Sequence, residues 1–210
     1  MTGQKQNILG TEPIGRLLLQ FSIPTALTLM VNTLYNIVDQ IFIGHATGIS
    51  GVAATNVTFP VGIIAAALAL MIGDGCAANI SLSLGQKEQE EADRVFANAV
   101  VLLFAAGFLL AGLGQLFTKQ LVIFCGASPS VVAESVKYMS ITLLGQPFAM
   151  CNMAFTAIIR ADGNPQYMMR SMMIGAVLNV ILDPIFIFYF HWGIQGAALA
   201  TIIGQIVSGC

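Results

Sequence analysis

The run from Val52 to Leu84, VAATNVTFPVGIIAAALALMIGDGCAANISLSL, carries a single charged residue, Asp74. As a helix rising about 1.5 Å per residue it would extend roughly 50 Å, beyond the ~30 Å hydrocarbon layer of a bilayer. A stretch so long and so poor in charge reads as a transmembrane helix that tilts, kinks or continues past the membrane surface. Working outward, comparable runs lie at about 17–44, 95–116, 131–159, 166–190 and 194–210. Irregular backbone in lipid leaves unsatisfied polar groups, so six helices packed together are expected. Strict alternation of apolar and polar residues is missing, which excludes a β-barrel. The fold class is therefore an all-α membrane protein, a six-transmembrane-helix bundle. Residues 1–16 form a short N-terminal segment and 17–210 the membrane domain.

Composition agrees. The chain is 57% hydrophobic and 9% charged, against roughly 45–50% and 25% for a soluble domain. A net charge of −2 gives no reason to expect a nucleic-acid partner. Cys76, Cys125, Cys151 and Cys210 are scattered through apolar surroundings without a CxxC pair and read as small core residues. The polar N-terminus lacks a small-residue cleavage site after its first apolar run, so the first helix is expected to be retained as an anchor.

The connections are rich in turn residues: His45–Gly51, Gly85–Glu91, Gly126–Pro129, Ala161–Pro165 and His191–Gly196. Between the third and fourth spans the apolar piece Leu121–Cys125 is too short to cross and is expected at the interface. Lys5, Arg16, Lys87, Arg94, Arg160 and Arg170 fall on one side of this layout, Lys119 and Lys137 on the other. The excess of basic residues predicts a cytoplasmic N-terminus. The loops holding His45 and His191 have no Lys or Arg, and Trp192 with Tyr189 is expected at the far headgroup layer. The sixth run reaches Cys210 without a polar flank, at a marginal length for a crossing, and this predicts a longer parent chain.

Two acids stand out. Asp39 lies late in the first span and Asp183 two-thirds through the fifth. Left in hydrocarbon each would cost at least about 2.5 kcal/mol, and such residues face the bundle interior and mark ion or proton pathways. Asn179 precedes Asp183 by four residues and shares its helix face. Oxygen ligands of this kind suit a hard cation, and two adjacent carboxylates equally suit a proton. Asp74 is a third candidate, nearer the cytoplasmic end, where it could cap a bend. Pro24 and Pro147 are kink sites in spans one and four. Gly62, Gly73, Gly75, Gly107, Gly112, Gly145, Gly175 and Gly204 offer close helix contacts. The methionines, Met168-Met169 and Met172-Met173 among them, read as membrane core before they read as a plastic drug surface. No nucleophile–base pair, phosphate loop or metal motif is present, which argues against a membrane-embedded enzyme and for no cofactor beyond a coupling ion.

Five strings in order, Phe21–Pro24 (FSIP), Leu34–Gly44 (LYNIVDQIFIG), Gly73–Gly85 (GDGCAANISLSLG), Arg160–Pro165 (RADGNP) and Leu178–Phe186 (LNVILDPIF), resemble the N-terminal half of the multidrug and toxic compound extrusion (MATE) transporters. The resemblance covers about Leu9 to Cys210 and is nearest the bacterial, MepA-like branch. It implies one lobe of a twelve-helix exporter in the inner membrane of a bacterial cell, exchanging amphipathic or cationic drugs for Na+ or H+, with a C-terminal lobe as its missing partner. By the same resemblance the cation or proton site, possible Na+ ligands included, is Asp39, Asn179, Asp183 and Thr201. Pro24, Asn36, Tyr138 and Asp74 match cavity or gating positions. The competing readings are a lipid-linked or polysaccharide flippase, for which a central basic residue would be expected, and a non-transporting structural subunit, which would not need two interior acids.

Overall fold

The computed structural model describes residues 13–161 and 165–209, and they are helical throughout apart from short turns. In chain order the helices are α1 (Ile14–Gly85), α2 (Gln89–Leu116), α3 (Thr118–Phe124), α4 (Val132–Ala161), α5 (Pro165–Pro184) and α6 (Ile194–Gly209). A π-helical turn, Ile185–Tyr189, continues α5. Among the described residues there is no strand.

α1 is two helices joined at one residue. Gly48 sits at φ 67°, ψ −159°, a region that side chains with a Cβ do not tolerate. The chain doubles back there, because Thr55 Oγ1 donates to Gln40 Oε1 at 3.1 Å, whereas fifteen residues of straight helix would separate them by about 22 Å. The turn expected over His45–Gly51 is therefore helical on both sides and its irregularity is confined to Gly48. A first arm, 14–47, and a second arm, 49–85, result. With this hairpin counted as two passes, the helices long and apolar enough to cross a bilayer supply five, and Ile194–Gly209, apolar but shorter, is the sixth.

The other boundaries follow local chemistry. The second arm ends where Glu88 N–H returns to Ser83 O and Lys87 N–H to Leu84 O, with Lys87 left-handed at φ 64°. α2 begins at Gln89, ahead of the apolar run at 95, and Glu90 and Glu91 in its first turn oppose the helix dipole favourably. The charges thus extend a helix whose start the apolar pattern alone placed six residues late. α3 contains the short piece expected at the interface; Val122 is buried while Ile123 and Phe124 are exposed.

Small residues set the helix spacing. A Cβ on Gly73 would lie 2.7 Å from Ala154 Cα, one on Gly114 2.6 Å from Leu143 Cδ2, and one on Gly175 2.7 Å from Gly204 O. Gly107 meets Pro147, and Gly145 meets Ile202, with no room for a methyl group. Gly62, Gly75 and Gly112 face open space instead, so they do not serve the close contacts expected of them. Around Gly73 and Gly107 the second arm, α2 and α4 bury Ala65, Ala69, Leu103, Met150, Cys151 and Ala154 in one cluster. Cys76 and Cys151 are buried free thiols and Cys125 is half-buried.

Candidate functional site

At the end of the bundle nearer Gly48, the first arm, α5 and α6 converge on a polar cluster in an apolar core. Asp39 stands nine residues before Gly48 and is 7% exposed; Asp183 is the penultimate residue of α5, followed by Pro184 and the π-helical turn, and is 0% exposed. Their carboxyl groups interact directly, side chain to side chain, across the first arm and α5. Asn179, one turn earlier on α5 and also buried, stands between Asp183 and Thr201 of α6. Its amide nitrogen lies 3.4 Å from both Asp183 Oδ1 and Thr201 Oγ1. With the amide rotated, the nitrogen donates to Asp183 Oδ2 at 3.3 Å and the oxygen accepts from the Thr201 backbone N–H at 3.3 Å. Either way Asn179 ties α5 to α6 beside the acids.

Oδ1 of Asp39 is buried without a protein partner. An unpaired carboxylate oxygen in hydrocarbon is costly, so this atom is the natural place for a proton or a cation. The group as a whole presents carboxyl, amide and hydroxyl oxygens, the hard donors that suit Na+. Among the described residues no cluster of three or more His, Cys, Asp or Glu could hold a metal ion, and the site carries no thiol or imidazole ligand.

Two tyrosines complete the surroundings. Tyr138, early in α4, interacts electrostatically with Asp39, Asp183 and Tyr35, and Tyr35 on the first arm interacts with both acids. The structure thus brings Asp39, Asn179, Asp183, Thr201 and Tyr138 together. It places the other candidates elsewhere. Pro24 is buried fifteen residues before Asp39 along the same arm, about 22 Å away, and its carbonyl accepts from Thr28 Oγ1 at 2.8 Å. Asn36 is exposed and donates to the Asn32 backbone oxygen at 2.7 Å. Asp74 is 61% exposed near the Gly85 end, 3.9 Å from Arg160 Nη2. His45 and His191 are exposed.

Sequence reasoning passed over Tyr35 and the Gln40–Thr55 hydrogen bond. Tyr35 had a signal, its position four residues before Asp39 and hence on the same face. Gln40 and Thr55 meet only because the chain reverses at Gly48.

A bundle of apolar helices crossing tightly on small residues, with two buried acids side by side in its interior, defines a multi-pass membrane protein. The MatE family model matches residues 24–185, and the chain belongs to that family. It is 30% identical over 202 residues to the FAD transporter of Shewanella oneidensis, covering 94% of this chain and 44% of that protein. To the multidrug export protein MepA of Staphylococcus aureus it is 29% identical over 197 residues, again covering 94% and 44%. A solved outward-facing conformation of a multidrug resistance MATE family transporter superposes with a TM-score of 0.83 at 31% identity, over 92% of this chain and 43% of that one. The chain spans just under half the length of these relatives and corresponds to one lobe of a MATE-type transporter.

Proposed function

We propose that this chain is the N-terminal lobe of an exporter that exchanges amphipathic or cationic drugs for Na+ or H+ across the inner membrane of a bacterial cell, with its N-terminus in the cytoplasm and a C-terminal lobe as partner. The observation that carries the reading is the Asp39–Asp183 carboxyl contact, buried with one partnerless oxygen and braced by Asn179 and Thr201. A cation or proton taken up there changes the charge of the lobe interior. It drives export only if it binds the inward- and outward-open states with different affinity, since a ligand shifts a conformational equilibrium by that difference alone.

The substrate class follows from the same interior. Among the described residues, the buried polar and charged ones include two acids and no Lys or Arg, which favours a cationic or neutral substrate and disfavours the phosphate-bearing cargo of a lipid-linked flippase. The test uses the full-length transporter in proteoliposomes. Replacing Asp39 or Asp183 by Asn keeps shape and hydrogen-bonding capacity but removes the charge, and should abolish efflux driven by an imposed Na+ or H+ gradient. Gradient-driven efflux at the wild-type rate in both variants would sink the assignment.

A further inference from the structure

The acid pair is enclosed even on its bare side. Leu34, Ile37 and Ile41 of the first arm are exposed, yet Asp39 beside them is nearly covered and Asp183 fully so. Whatever reaches the pair must therefore pass between helices of this lobe. Buried polar side chains show which seam could admit it. Thr28 and Ser83 lie toward the far ends of the two arms of α1 and Thr118 starts α3; apart from the acid cluster itself, that leaves Thr55, Thr58 and Ser135.

Thr58 and Ser135 lie along one contact, between the second arm and α4, and Thr58 Oγ1 donates to the Thr55 backbone oxygen. Tyr138 of α4 and Val131, which immediately precedes that helix, cluster with Ala54 of the second arm, and Met139 clusters with Val61. Thr58 falls between Ala54 and Val61 at spacings of four and three, so it shares their face. Ser135 likewise falls between Val131 and Met139. The two hydroxyl residues thus occupy the same level of the seam. Ser135 is wholly buried and its Oγ has no partner, an arrangement that a native core rarely keeps without a polar visitor. Deeper in, Thr55 Oγ1 donates to Gln40 Oε1, and Gln40 adjoins Asp39 in sequence; Tyr138 interacts electrostatically with both acids. Outward, Ser135 sits in the first turn of α4, and the exposed Ser128 and Ser130, whose hydroxyls are 3.0 Å apart, precede that helix.

We infer that the seam between the second arm and α4, lined by Ser135, Thr58, Thr55 and Tyr138, is the route by which water and the coupling cation reach the Asp39–Asp183 pair. The inference rests on the reading of that pair as the coupling site. Hydroxyls can both donate and accept, so they pass a proton or strip part of the shell of a small cation without holding a charge of their own. The titratable groups facing the pair are Tyr35 from the first arm and Tyr138 from α4; among the described residues none is contributed by α6.

A route controls how fast the site fills and leaves its equilibrium affinity alone. In the full-length transporter, tryptophan fluorescence is followed after a pH jump and, separately, after a sodium jump. Thr58→Val and Ser135→Ala should slow the response several-fold with its midpoint unchanged, while Thr58→Ser, which keeps the hydroxyl, should retain the wild-type rate. Slowing in the pH arm assigns the route to protons, and slowing in the sodium arm to hydrated sodium. Wild-type rates in both variants, or a midpoint that moves with the rate, would overturn the route. Asp183→Asn should remove the response altogether; a response surviving that change overturns the coupling site itself, a result the route variants cannot produce.

Discussion

The two ends of this bundle are made of different material. Toward Gly48, the interior holds Asp39, Thr55, Thr58, Ser135, Asn179 and Asp183, all buried. Toward Gly85, the interior is Cys76, Ala77, Ile80, Ala92, Ala99 and Ile158, and the acid at that end, Asp74, lies on the surface beside Arg160. Burying a polar group in lipid is unfavourable unless a partner or a ligand compensates. The Gly48 end buries six such residues, both interior acids among them, whereas the Gly85 end buries the hydroxyls of Thr28 and Ser83 but no acid and is organised around helix contact. The same chemical event, one added or removed side-chain group, should therefore be read out as lost coupling at one end and lost stability at the other.

The largest structural effect is expected where α2 crosses α4. Gly107 lies against the backbone of Pro147 with no space for a Cβ, and neither partner there is a flexible side-chain end that could swing aside. Gly107→Leu must push the helices apart, an overpacking cost of about 1–3 kcal/mol or more. The expected outcome is a sharp drop in folded yield and in the melting temperature of the detergent-purified full-length protein. Asp183→Asn at the other end should melt close to wild type while losing gradient-driven efflux. If both variants lose stability equally, the contrast between the ends fails.

A smaller effect tests the hinge that separates the two arms. At φ 67°, ψ −159°, Gly48→Ala introduces a Cβ where only glycine is at ease, costing about 1–3 kcal/mol. No atom lies within 4 Å of that Cβ, so the penalty is backbone strain without a clash. Gly62→Ala, also in open space but without a left-handed backbone, is the matched control and should be neutral or slightly stabilising, since alanine favours helix. Thermal melts of the pair measure the difference directly.

How much of this could be read from the sequence differs by residue. The passes were legible because lipid demands long apolar runs, and Asp183 with Asn179 was legible because a spacing of four fixes a shared face on any helix. The meeting of Asp39 with Asp183, some 144 residues apart in sequence, is encoded by no local pattern; it was read from their shared character as intramembrane acids and reinforced by family resemblance, which alone added Thr201. Gly48 was hidden because a turn-rich heptad does not reveal that one residue will carry the whole reversal. Gly62, Gly75 and Gly112 looked like packing glycines for the same reason: composition says a residue is small, not which way it faces. Asp74 attracted attention as an intramembrane acid, but it lies about 39 Å along the second arm from Gly48, exposed and beside Arg160 rather than with the buried pair.

That placement sets the smallest effect. Asp74 and Arg160 approach to 3.9 Å with side chains 61% and 47% exposed, and exposed pairs of this kind contribute about 0–1 kcal/mol. The pair joins the second arm to α4 a little beyond the Gly73–Ala154 crossing, which already fixes the two helices. Asp74→Asn, Arg160→Gln and the double variant should therefore melt within a narrow range of wild type, and a double-mutant cycle should return a coupling of this size that shrinks as salt is added. Efflux should survive all three, because the charges removed are not those of the enclosed pair. A loss of efflux in Asp74→Asn with stability intact would show that the Gly85 end also carries a functional acid, and the division drawn between the two ends would have to be given up.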